Sequence, residues 1–103
     1  MAARETLPAP ASTIGADTRE LIMQLSRGNA DPAHTLARRV HAELNVILSS
    51  DLEPESTLKL KARQTMFAIE EVMALVDRSD LRGAWEAARD AAKEWRVTTE
   101  AHE

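Results

Sequence analysis

Three histidines, seventeen carboxylates and thirteen basic side chains are the groups in this chain that can do chemistry, and there is no cysteine. Without cysteine there is no disulfide framework, thiolate zinc site or sulfur nucleophile. His34 and His41 stand seven residues apart, about 10.5 Å along a helix, too far for one metal ion to reach both at bonding distance. His102 lies in the tail. Glu70 and Glu71 are adjacent, so on a helix they point about 100° apart and cannot converge as an acid and base pair. The basic groupings are Arg38-Arg39 and Lys59-x-Lys61-x-Arg63. Converging cations of this kind bind dicarboxylates in small helical mutases, but nothing in the spacing makes these converge. A Gly-rich phosphate loop, a nucleophile elbow and a His-Glu-x-x-His motif are all missing. The residues therefore predict no enzyme, no metal and no cofactor.

The bulk properties narrow the partner. Of the 103 residues, 44% are hydrophobic and 29% charged, which is enough apolar content to fold one small domain. A net charge of −4 argues against nucleic acid as a direct ligand, because phosphate binding relies on clustered Lys and Arg. A helix-turn-helix reading fails on the same ground, since no helix gathers base-reading Arg, Asn or Gln on one exposed face. No run approaches the ~20 apolar residues of a membrane span, and the opening segment with Pro8 and Pro10 lacks an export signal's apolar stretch. A cytoplasmic protein is expected, with no membrane contact.

Helix formers dominate, with abundant Ala, Leu, Glu and Arg against three Gly and one Phe, and the pattern predicts an all-α, small antiparallel bundle of three to four helices. Residues 1–16, rich in Ala, Pro, Ser and Thr, are read as a disordered arm. A single helical domain over 17–96 follows, then a flexible tail over 97–103. The first helix is predicted over 17–27, capped by Asp17 with Glu20 reaching back, and ended by Gly28. Its apolar face is Leu21, Ile22 and Leu25. Asp31 caps the second helix with Pro32 in its first turn, and Ala33, Leu36, Ala37, Val40, Leu44, Ile47 and Leu48 fall within about 120°. The third helix runs from Pro54 or Glu55 to Asp77. Ser79 caps the fourth, over 80–96, with a stripe of Leu81, Trp85, Ala88, Ala92 and Trp95.

The third helix carries the functional signal. Its main stripe is Leu58, Ala62, Met66, Ile69, Val72, Met73 and Val76, but Leu60, Phe67, Ala68, Ala74 and Leu75 form a second apolar zone. Lys59, Arg63, Glu70 and Asp77 separate the two. One neighbouring helix cannot cover both, so the helix is either central in the bundle or shared with another chain. The partner-binding residues are read as Leu60, Arg63, Phe67, Glu70, Ala74 and Leu75, with Phe67 and Leu60 as anchors and the charges as rim. A monomer this small has a thin core, which favours a homodimer.

Arg19-Glu20-Leu21-Ile22-Met23-Gln24-Leu25-Ser26-Arg27-Gly28, followed by Asp31, Pro32 and a long basic amphipathic helix, resembles the TraM-type quorum-sensing antiactivators. The small helical antiactivators of the QslA type are functionally similar. The resemblance covers about the first third of the ordered region. It implies a small all-α dimer that binds a LuxR-type transcription factor and blocks its dimerisation or DNA binding. The Trp85 and Trp95 helix has no counterpart in that pattern, and the connection before the third helix is shorter. The mode of action is therefore carried over without a residue set. The alternative is a helical adaptor, secretion chaperone or antitoxin-type binding protein.

Overall fold

The computed structural model of the chain describes the backbone of residues 9–51, 53 and 56–101, and the side chains of residues 13–51, 53 and 56–95. Four helices follow one another: α1 (Ala9–Ser26), α2 (Ala30–Leu48), α3 (Thr57–Asp77) and α4 (Leu81–Ala101). Each packs on its chain neighbours, and α1 also packs on α4, so the four close into a bundle measuring 49 × 20 × 18 Å. The short connections make successive helices antiparallel. Two side-chain contacts mark the register of α2 against α3, with His34 Nε2 3.3 Å from Asp77 Oδ1 and His41 Nε2 3.0 Å from Glu70 Oε2.

The core is built from one stripe per helix: Ile14, Leu21 and Leu25; Ala33 through Ile47 on α2; Leu58, Ala62, Ile69, Val72 and Val76; and Ala84, Ala88, Ala91 and Trp95. On α2 the six buried positions are the first six of the predicted stripe, with Leu48 partly buried. On α4 the buried face is turned from the predicted one. Three alanines let the helix approach closely, Trp95 fills the end of the core, and Trp85 sits at the margin, its ring under Arg89 Cζ at 4.7 Å. Two threonines are accommodated in the interior because their hydroxyls donate back along their own helices, Thr18 to the Ile14 carbonyl at 2.9 Å and Thr65 to the Lys61 carbonyl at 2.7 Å.

The helix ends correct several expectations. The first helix begins at Ala9, not at residue 17. The predicted arm therefore contributes two turns of helix and the fully buried Ile14, which with Thr18, Leu21 and Leu25 forms one continuous stripe. Alanine-rich sequence extends the helix upstream, and Pro10 is tolerated in the first turn. Asp17 is thus inside the helix and caps nothing. The second helix is preceded by Asn29, whose side chain makes no capping bond, and Asp31 is a first-turn residue. The third starts at Thr57, capped by Ser56, whose Oγ accepts from the Lys59 N–H at 3.2 Å.

The α3 to α4 junction differs most. Ser79 adopts a left-handed conformation, φ 62°. Its N–H donates to the Val76 carbonyl at 2.9 Å and the Asp80 N–H to the Leu75 carbonyl at 2.8 Å, a Schellman motif. Ser79 therefore ends α3, and Asp80 caps α4 by accepting the Gly83 N–H at 3.0 Å. The same motif closes α1, where Gly28 has φ 76° as its position required. The backbone of α4 stays helical through Ala101, past the predicted end at 96.

Candidate functional site

On α3, α2 covers one flank and α4 the other. Met66 and Met73 pack against the core, as do Ala68 and Leu75 from the second apolar zone. Leu60 and Phe67 are left uncovered, 45% and 66% exposed. With Ala74, which is half-buried, they fall at seven-residue intervals, so they form a line along the outer surface of the helix. Arg63 and Gln64 lie between the first two, and Glu70 and Glu71 between the last two, all exposed. Of the six residues read as partner-binding, Leu60, Arg63 and Phe67 share this outer stripe and Ala74 is at its end. Glu70 is at its edge, where His41 of α2 holds its carboxylate. Leu75 is turned toward the core cluster. Met23 and Val46 are the other exposed large apolar residues among those described, on α1 and α2.

The basic groupings do not converge. Lys59 is buried, and its Nζ donates to the Ser50 carbonyl at 2.9 Å, tying the start of α3 to the connection after α2. Lys61 reaches across to Glu94 of α4 at 3.1 Å. Arg38 and Arg63 are exposed. The α2/α3 register sets Arg38 level with Met73, about 21 Å along α3 from Lys59.

A cluster that the sequence reading missed lies between α1 and α2. Arg39 Nε is 3.2 Å from Asp17 Oδ2. Asp17 Oδ2 and Glu43 Oε1 are both closed to solvent, and no well-aligned hydrogen bond from a fixed N–H or O–H reaches either. Burial pushes the Glu43 carboxyl up to about 7, and the neighbouring Asp17 carboxylate adds to the rise by hydrogen bonding and by charge, while Arg39 opposes it. Two carboxyl groups facing each other can be satisfied together when one holds a proton and donates it to the other. The signal available in the sequence was the i,i+4 pair Arg39 and Glu43 on the flank of α2 beside its apolar stripe.

His34 and His41 bond separate carboxylates of α3. Among the described residues no group of three or more His, Asp or Glu is placed to hold a metal ion, and no helix is long and apolar enough to cross a membrane. Comparison with known proteins finds no matching family model, no matching curated protein and no matching solved structure.

Proposed function

We propose that this chain is a protein-binding regulator that acts through the outer stripe of α3, covering an apolar surface of a LuxR-type transcription factor and blocking its dimerisation or DNA binding. The observation that carries the docking mode is Phe67, an aromatic ring 66% exposed at the middle of a helix whose other large side chains are largely packed away. An exposed ring in line with Leu60 and bordered by Arg63, Glu70 and Glu71 has the make-up of an interface, with an aromatic anchor and a charged rim. The partner class rests on the resemblance carried by residues 19 to 28. No catalytic step and no cofactor belong to this reading. Occlusion needs only an apolar face and a fit.

The test is release of labelled promoter DNA from a LuxR-type regulator of the same genome as the purified chain is titrated in. Wild-type protein should displace the DNA, and Phe67→Asp should do so roughly 30-fold less well, the weakening typical of losing an interface anchor. Equal potency of wild type and Phe67→Asp would exclude this stripe. No displacement by either would exclude the regulator.

A further inference from the structure

The Arg89 guanidinium lies over the Trp85 ring, 4.7 Å from its centre. Among the described residues no carboxylate comes within ion-pair distance of Arg89 or of Arg19. Helix geometry brings these two cations to one groove. Asp17 marks the flank of α1 that faces α2, and Glu94, paired with Lys61, marks the flank of α4 that faces α3. On the opposite flanks, at 100° per residue, Gly15, Arg19 and Ile22 fall within about 60° on α1, and Trp85, Arg89 and Arg82 within about 60° on α4. Those flanks border the α1/α4 interface. The side-chain pairs Asp17 with Arg39, His41 with Glu70 and Lys61 with Glu94, followed round the bundle, set Gly15 level with Trp85 and Arg19 level with Leu81.

Gly15 leaves a notch in α1 at this point. It is half-buried, and a Cβ added there would meet nothing within 4 Å, so the notch has room for a side chain from outside. Trp85 packs against the core cluster. The ring is therefore fixed, and it holds the Arg89 guanidinium flat across itself with N–H groups left to donate to a ligand. An occupant must bring a carboxylate for the guanidinium groups and an apolar side chain for the notch. Exposed Glu20, Glu86 and Asp90 border the groove, and Glu86 already pairs with Arg82. These carboxylates repel a phosphate chain or an anionic bilayer laid over the face, either of which needs a broad basic surface. They suit the basic rim of a protein partner instead.

We infer that the α1/α4 groove docks an acidic helical segment of a partner protein, with a carboxylate on Arg89 and an apolar side chain seated over Gly15 against Trp85. Arginine capture of an acidic motif and the seating of a helix in a groove are both common modes of peptide recognition. The groove is separate from the outer stripe of α3, because α1 stands diagonally across the bundle from that helix. The chain then has two docking surfaces, and neither depends on the other.

The probe is a synthetic peptide helix with leucines along one face bordered by glutamates, set beside a version with glutamine at every glutamate. The chain has two tryptophans, and Trp95 is buried, so the two indole N–H signals of an NMR titration distinguish groove from core. The Trp85 signal should move with the acidic peptide far more than the Trp95 signal, and binding should weaken as salt rises. Arg89→Ala should weaken binding roughly tenfold. Gly15→Leu fills the notch and should abolish binding with Tm unchanged or raised, since leucine is the better helix former and its Cβ meets no neighbour. Phe67→Asp should bind the peptide as wild type does.

An unmoved Trp85 signal, equal binding of the glutamine peptide, or full binding by Gly15→Leu would overturn the inference. Tighter binding of single-stranded RNA or of phosphatidylglycerol vesicles than of the acidic peptide would overturn it too, and would make the groove a phosphate site.

Discussion

Asp17 of α1 and Glu43 of α2 oppose each other across the α1/α2 interface, each with one carboxyl oxygen shut away from solvent, and Arg39 Nε stands 3.2 Å from the buried oxygen of Asp17. The Glu43 carboxyl, ordinarily near 4.5, is raised to about 7. The folded protein therefore holds this proton more tightly than the unfolded chain does. Glu43 adds no penalty below its unfolded pKa. It becomes progressively destabilising as pH rises from there through 7, and the penalty is constant above that.

Glu43→Gln removes the charge but keeps a donor for Asp17. The variant should match wild type at acid pH and exceed it at pH 8, by about 2 kcal/mol once partial solvation of the group is allowed for. Urea melts of both proteins at several pH values check this. Parallel curves would show that the two carboxyl groups do not share a proton.

Ser79 carries a conformational cost that a glycine would not. Its φ of 62° lies in the left-handed region, where a Cβ is disfavoured. The hydrogen bonds of the motif come from backbone groups of Ser79 and Asp80, so they survive replacement of the side chain. Ser79→Gly should stabilise the protein by about 0.5 to 1 kcal/mol, read as a rise in Tm. Gly28→Ala at the matching position after α1 should cost about 1 kcal/mol.

These two sites mark where sequence patterning loses its hold. The face of α2 was legible because six apolar residues repeat at helical spacing beside a clear polar face, and burial follows that spacing directly. The cap assignments depend on which of several polar residues in a row adopts which backbone angle. Ser79 and Asp80 both suit an N-cap, and the Schellman closure of α3 decides between them. Asp17 has the side chain of a cap, yet Ile14 has a place in the core one turn upstream, and burying it extends the helix past the aspartate. On α4 the two tryptophans pulled the expected stripe toward themselves, whereas close packing favours the alanine face. The exposed part of α3 was legible as an apolar excess. The parts that α2 and α4 cover depend on helix positions that no local pattern contains.

Ile14 gives the sharpest test of where the folded domain begins. It is fully buried in the core cluster, so Ile14→Ala should cost about 2 to 4 kcal/mol. Deleting residues 1 to 16 should destabilise the protein further, since it also removes helix that packs on α2 and α4. A truncated chain melting with wild-type cooperativity and midpoint would return this segment to the status of an arm.

Phe67 and Ile69 sit two residues apart on α3 with opposite surroundings, 66% and 0% exposed. The larger side chain is the one left in solvent. Replacing Ile69 with serine leaves a cavity and a buried hydroxyl, and should cost about 3 to 5 kcal/mol. Replacing Phe67 with serine removes little packing within the monomer and should change its stability by no more than about 0.5 kcal/mol. The comparison is made at a concentration where the Phe67→Ser protein is monomeric, with helicity and melting followed together. Equal losses at both positions would place Phe67 inside the folding core and remove it from any docking surface. A silent change at Phe67 beside a severe one at Ile69 would leave binding as the role the ring has to fill.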